Sequence, residues 1–197
     1  MKKLFYIFLA ISIIFSACEK EEETPTNNNN NGTNNLSIGA YHQGGVIFYL
    51  DGNGSGLICD ISDVAPSLAR VEWGCYGDSI DVDNSEIGSG FSNTVKIING
   101  CDENGIAAEI CYNLTRDGYT DWYLPSKDEL IEIFLNRNSI NTTLIANGGE
   151  PLLLQTRYWS STEGNSGSNA QNESIAVSDF NDGNGPGGKG VRIIHIM

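Results

Sequence analysis

Basic residues are scarce in this chain. There are 11 Lys and Arg against 25 Asp and Glu, a formal net charge of −14 at neutral pH. A surface so acidic repels nucleic acid and anionic lipid, and disfavours sulfated polysaccharide unless a metal ion intervenes. Histidine is almost missing: His42 and His195 are the only two. Neither stands near a nucleophile in a recognisable motif, and no G-x-S-x-G turn occurs, which argues against serine-hydrolase chemistry. The five cysteines include no C-x-x-C pair of the kind that zinc and redox sites use. Gly183 to Gly190 nearly spells a phosphate-binding loop, but Gly190 stands where a Ser or Thr would hold magnesium, and a strand is expected next in place of a helix. No apolar run reaches the ~20 residues that cross a bilayer as a helix.

What is present begins with a leader. Lys2 and Lys3, the apolar stretch from Leu4 to Phe15 and the small pair Ser16-Ala17 have the charged, apolar and small-residue regions of a secretory signal over residues 1–17. Cys18 follows directly, as in the cleavage box of bacterial lipoproteins, with Phe15 where those boxes usually carry Leu. The expectation is cleavage before Cys18, lipidation of Cys18 and a stable acyl anchor. Outer-membrane attachment with display at the cell surface follows from that reading. Glu19 to Glu23 is an acidic run, read either as a surface-export signal or as solvated charge. Thr24 to Asn35 is Asn-rich and has no apolar residue, so residues 18–35 are read as a lipidated cysteine and a flexible tether.

Residues 36–197 suit a single domain with a sizeable core. Three of the lysines and four of the glutamates precede Leu36, leaving 8 basic and 21 acidic residues in the domain, a charge of −13. Its four cysteines, Cys59, Cys75, Cys101 and Cys111, form an even set in an exported chain and suggest two disulfides, for which the sequence permits three pairings. Cys111 lies on an apolar helix stripe and Cys59 in an apolar strand, whereas Cys75 and Cys101 lie in loops. Cys59–Cys111 with Cys75–Cys101 is therefore the preferred pairing.

Gly44 to Leu50 and Leu57 to Cys59 are β-rich runs flanking the turn residues Asp51 to Gly56, a hairpin. Asn93 to Ile98 reads as one or two helical turns, and Ile106, Ala107, Ile110, Cys111 and Leu114 recur at helical spacing. Leu124-Pro125-Ser126 ends an extended run and starts a helix, because Pro125 lacks an amide donor and Ser126 is a good cap. Ser126 and Glu129 have capping-box spacing, and Leu130, Ile131, Phe134 and Leu135 form the expected apolar stripe. Asn136 to Pro151 is polar, carries Gly148-Gly149 and shows no helical stripe. Tyr158 to Thr162, Ile175 to Phe180 and Val191 to Ile196 read as strands, separated by loops at 164–172 and 181–190. Two helices between an N-terminal hairpin and C-terminal strands make an α+β domain.

Candidate site residues are few. Trp73 is the tryptophan open to a role in ligand stacking, while Trp122 and Trp159 sit within framework stretches and are read as core. Asp179, Asp182 and Asn184 supply oxygen ligands of the type calcium takes, or else the turn chemistry of a plain hairpin loop. Asp78, Asp81, Asp83 and Glu86 have calcium-like steps but lack the EF-hand glycine and final glutamate, so they are read as solvated loop acids. Asp121 is expected to bond backbone amides. No catalytic residue and no cofactor is assigned.

Gly44-Gly45-Val46-Ile47-Phe48-Tyr49, Gly56-Leu57-Ile58-Cys59, Gly88-Ser89-Gly90 before Asn93-Thr94, Ala107-Ala108-Glu109-Ile110-Cys111, Gly118 to Ser126 with Glu129-Leu130, Tyr158-Trp159-Ser160-Ser161 and Val191-Arg192 occur in that order. Together they resemble the domain family defined by the C-terminal domain of the Legionella collagen-like adhesin, and the lipoprotein domains that share its LPS…YWSS pattern. The resemblance implies a C-type lectin-like fold: N- and C-terminal strands pair, and two helices flank a small twisted antiparallel sheet with long loops. Export, tether, expected disulfides and this loop-rich architecture together point to a non-catalytic binding or adhesion domain that takes an extracellular glycan or surface protein through the loops at Asp60–Ser89 and Asn181–Gly190. The fold is shared with formylglycine-generating enzymes, so an enzyme on that fold is the alternative, with a purely structural envelope component as a third reading.

Overall fold

The computed structural model of the chain describes residues 36–64, 71–75, 78–153, 157–164, 171–176 and 192–197, all within the compact unit Asn35–Met197. The expectations for residues 1–17, Cys18, the tether, Asp179, Asp182, Asn184 and the loop at 181–190 fall outside the described residues.

The domain is mixed α+β. Strands β1 (Tyr41–His42), β2 (Gly45–Leu50), β3 (Gly56–Asp60) and β6 (Ile194–Ile196) form an antiparallel sheet in the order β1-β2-β3-β6, and β4 (Arg157–Gly164) pairs with β5 (Gln171–Ala176) in a second, two-stranded sheet. The expected hairpin is β2–β3, with a register shift between Ile47 and Tyr49. The C-terminal strand joins the sheet beside β3, where Cys59 pairs with Ile194.

Four helices are present among the described residues, two more than the sequence pattern suggests: α1 (Gly90–Gly100), α2 (Ala107–Tyr112), α3 (Lys127–Leu135) and α4 (Arg137–Ala146). Helix α4 occupies the polar stretch 136–151, where no helix is expected. Its buried apolar side chains are Ile140 and Leu144, one turn apart, and the rest of the helix is mainly Asn, Ser and Thr with Ile145 turned outward, too sparse a stripe to stand out. Helix α3 starts at the Ser126 capping box, with the Ser126 hydroxyl accepting from the Glu129 amide and the Glu129 carboxylate accepting from the Ser126 amide. Its buried stripe is Leu130, Ile133 and Phe134, and Leu135 is 71% exposed. The i, i+3, i+4 set faces the sheet, and the helix ends as Leu135 turns away.

Two apolar cores result. The first packs Val46, Phe48, Leu57, Cys59, Tyr123 and Ile194 against Leu130, Ile133, Phe134, Ile140 and Leu144. The second holds all three tryptophans with Val82, Ile97, Ile106, Ala107, Cys111 and Leu124. The extended run Trp122-Tyr123-Leu124 serves both: Trp122 and Leu124 enter the second core, while Tyr123 enters the first. Its backbone is held by Tyr123, which exchanges hydrogen bonds with Ile194 at 2.9 and 3.2 Å, and by the Thr94 hydroxyl, which accepts from the Leu124 amide and donates to the Leu124 carbonyl.

The division of the core corrects the preferred cysteine pairing. Cys75 and Cys101 are joined, but Cys59 and Cys111 are free. Cys59 belongs to the sheet core and Cys111 to the tryptophan core, so their sulfurs do not meet. Burial pushes the Cys59 thiol up to about 12 and the Cys111 thiol up as well. Because the thiolate is the reactive form, iodoacetamide is expected to leave both unmodified in the native chain and to modify both in denaturant. Peptide mapping checks this, and a linked Cys59–Cys111 peptide would refute it.

Two tight turns meet at one end of the sheet. Gln43 and Gly44 both have positive φ between the paired residues His42 and Gly45, and Asp117 and Gly118 do the same between Arg116 and Tyr119, whose backbones bond at 2.9 and 3.0 Å. These are hairpin turns that require left-handed backbone at both central positions. A Cβ on Gly44 would lie 2.6 Å from an Asp117 carboxylate oxygen, so the contact between the turns needs glycine there.

Candidate functional site

The segment 78–89 lacks regular structure, and its backbone is fastened from beneath. Glu163 of β4 reaches up with its carboxylate, which accepts from the Ile80 amide at 3.1 Å and the Val82 amide at 3.3 Å, while the Glu163 amide donates to the Val82 carbonyl at 2.9 Å. The Asn84 carbonyl takes three donors: the Asn93 side-chain amide at 2.7 Å, the Ser89 hydroxyl at 3.1 Å and the Thr162 hydroxyl at 3.2 Å. Ser85 and Asp128 bond through both backbone and side chain. Ser126 donates its hydroxyl to the Glu86 carbonyl at 3.0 Å.

Glu129 completes the fastening. It is fully buried, and its two carboxylate oxygens accept from the Ser126 amide at 2.7 Å and the Gly88 amide at 2.8 Å. The capping box of α3 thus also fixes the entry to α1. Gly90, the first residue of α1, passes so close that a Cβ there would sit 2.3 Å from a Glu129 carboxylate oxygen. Burial raises the Glu129 carboxyl above its ordinary value, opposed by the amide hydrogen bonds from Ser126, Gly88 and Gly90 that favour the anion.

Above this base, Asp78, Asp81, Asp83, Asn84, Glu86 and Ile87 are exposed. Next to them Phe91 on α1 and Tyr112 on α2 are 40% and 44% exposed, with ring centroids 6.3 Å apart. Phe91 also stands edge-on to buried Tyr123, 87° between planes and 5.9 Å between centroids. One aromatic pair on two helices, backed by a third ring, therefore faces outward beside a fastened acidic loop. Such a surface offers apolar and π contacts with carboxylates at its margin.

The remaining sequence candidates are placed as follows. Trp73, read as a stacking residue, is 1% exposed and donates its indole N–H to the Ser160 carbonyl at 2.8 Å. It is a core residue, drawn in with the cystine loop that begins at Cys75, and cannot stack on a ligand. Trp122 and Trp159 are core, as expected, with the Trp159 indole donating to the Val71 carbonyl at 2.8 Å. Pro125 is buried, and its carbonyl accepts from the Ser161 amide at 2.7 Å. Among the described residues no group of three or more His, Cys, Asp or Glu side chains is arranged to hold a metal ion. Asp121 stands half exposed, with a carboxylate oxygen 3.8 Å from Nδ1 of His195 in place of the expected amide bonds. The His195 ring is buried against Trp122 and Tyr119, with centroids 4.3 and 4.8 Å away, and burial lowers its pKa.

A second polar cluster lies under β6. Arg192 is fully buried, its Nε 2.8 Å from Asp63 and its other nitrogens donating to the carbonyls of Asp60 and Glu150 at 3.0 Å each. Tyr158 donates its hydroxyl to Asp63 at 3.3 Å, and Arg116 pairs with Asp60. Burial raises the carboxyls of Asp60 and Asp63, against the pull of the arginines. These groups tie the end of β3 and the segment after it to Arg116, to Tyr158 of β4 and to Arg192 ahead of β6, which in turn holds Glu150.

Sequence reasoning did not find Phe91 and Tyr112. Phe91 follows Gly88-Ser89-Gly90, a turn-like stretch, and Tyr112 closes a short helix whose buried residues are Ala107, Ala108 and Cys111. The available signal was a single one, that Phe91 and Tyr112 both fall off the apolar stripes of their helices. No protein-family model matches the chain, and no curated protein matches it.

Proposed function

We propose that this chain is a lipid-anchored cell-surface domain of C-type lectin-like fold that binds an extracellular glycan or surface protein, without catalysis. In this reading Cys18 carries the lipid at the outer membrane, residues 18–35 are the tether, and residues 36–197 present the binding surface. The observation that carries the proposal is the exposed Phe91–Tyr112 pair beside the fastened loop 78–89. A loop held at Ile80, Val82, Asn84, Ser85, Glu86 and Gly88 keeps its shape before a ligand arrives, which lowers the ordering cost of binding. Aromatic side chains dominate the energetics of such surfaces.

The glycine-rich loop with Asp179, Asp182 and Asn184 belongs to the same proposal as a second contact region and the place for calcium. The test is a screen of glycans and surface or matrix proteins against the chain, run with calcium and with chelator. Binding that is lost in a Tyr112→Ala variant is the expected result. No ligand in either condition would overturn the proposal.

A further inference from the structure

Resting on that binding reading, we propose that the occupant of the Ile87–Phe91–Tyr112 surface is a basic protein segment, with lysine or arginine side chains lying over the aromatic rings and against Asp83 and Glu86. The first ground is charge. From Asp78 to Phe91 the chain places four carboxylates, Asp78, Asp81, Asp83 and Glu86, and not one lysine or arginine. Glu109 adds another one turn before Tyr112 on α2, and Asp128 is tied to Ser85 at the loop's base. The basic side chains of the adjoining elements are Lys96, beyond Phe91 on α1, and Lys127 at the start of α3. With a formal charge of −14 overall, the chain attracts cations over a distance and repels polyanions.

The second ground is the aromatic pair itself. Phe91 and Tyr112 expose their rings at 40% and 44% and lie 6.3 Å apart, so a flat cationic group or an alkyl-ammonium stem finds a ring face on either helix. Ile87, 37% exposed, supplies an aliphatic contact in the same loop. Guanidinium and ammonium side chains combine an apolar stem with a charged head, and this surface offers a partner for each part. A neutral sugar could stack on the rings and donate its hydroxyls to the carboxylates, but only a cation also draws on the net negative charge of the surface.

The experiment displays random short peptides on phage and selects them against the full chain in detergent, with counter-selection on a Phe91→Leu, Tyr112→Ala double variant. The expected result is enrichment of peptides that combine Lys or Arg with apolar residues. Their affinity should fall about tenfold or more in the double variant. It should also fall in an Asp83→Asn, Glu86→Gln variant, whose changes lie on exposed side chains, and decline with added salt. That second variant answers for any loss of folding in the first, since Phe91 rests on Tyr123. Enrichment of neutral or acidic peptides, or binding indifferent to both variants, overturns the inference. If peptides fail but a glycan binds and is lost in the double variant, this inference falls while the proposed function stands. Failure of both screens removes both.

Discussion

Trp122→Ala is expected to lower the stability of the domain by about 3–5 kcal/mol, the range for emptying a large aromatic site in a core. The side chain is fully buried in the second core, packs edge-on to His195 at 4.3 Å and donates its indole N–H to the Arg116 carbonyl at 3.4 Å. Its loss leaves a cavity beneath the turn at Asp117-Gly118 and removes one wall of the His195 environment. Urea denaturation followed by circular dichroism measures the change. A variant of unaltered stability that had lost its ligand would make Trp122 a binding residue, against everything argued for its position.

Glu129→Gln should cost about 2–4 kcal/mol at neutral pH, because a buried donor left without its acceptor bears the full desolvation penalty. The carboxylate serves the Ser126 and Gly88 amides with separate oxygens. Glutamine has one oxygen, and its amino group would point at the other N–H. The variant also removes a titration whose sign is fixed by the raised folded-state pKa. A group raised in the folded state contributes stability that is fully present below its unfolded value, near 4.5, and is lost as pH rises through the folded one. The wild-type chain therefore gains on the Gln variant as pH is lowered from neutral towards that value. Denaturation curves for both proteins across the range show the gap widening, and a constant gap would refute the account.

The capping box shows what the sequence could and could not reveal. Ser126 and Glu129 announce a helix start by spacing alone, since the motif is local and each partner is three residues from the other. That the same carboxylate also holds Gly88, some forty residues upstream in sequence, is a tertiary fact with no periodic trace. The hairpin β2–β3 and helix α2 were legible for the same local reason. Helix α4 was not, because two apolar anchors among Asn, Ser and Thr carry little moment. Trp73 was misplaced because a tryptophan beside Gly74-Cys75 looks like loop decoration until the disulfide draws it inward. The cysteine pairing was half legible: loop position identified Cys75 and Cys101, while the assumption that buried cysteines share one core failed, since there are two.

The run Trp122-Tyr123-Leu124 is a partition with a room on either side. Because its side chains alternate between the two cores, displacing this one strand would empty positions in both at once. The two cores are in that sense coupled. The surface around Phe91 and Tyr112 inherits this property, since its floor is Tyr123, one of the three residues of the wall. Whatever displaces that strand therefore also displaces the floor on which Phe91 rests.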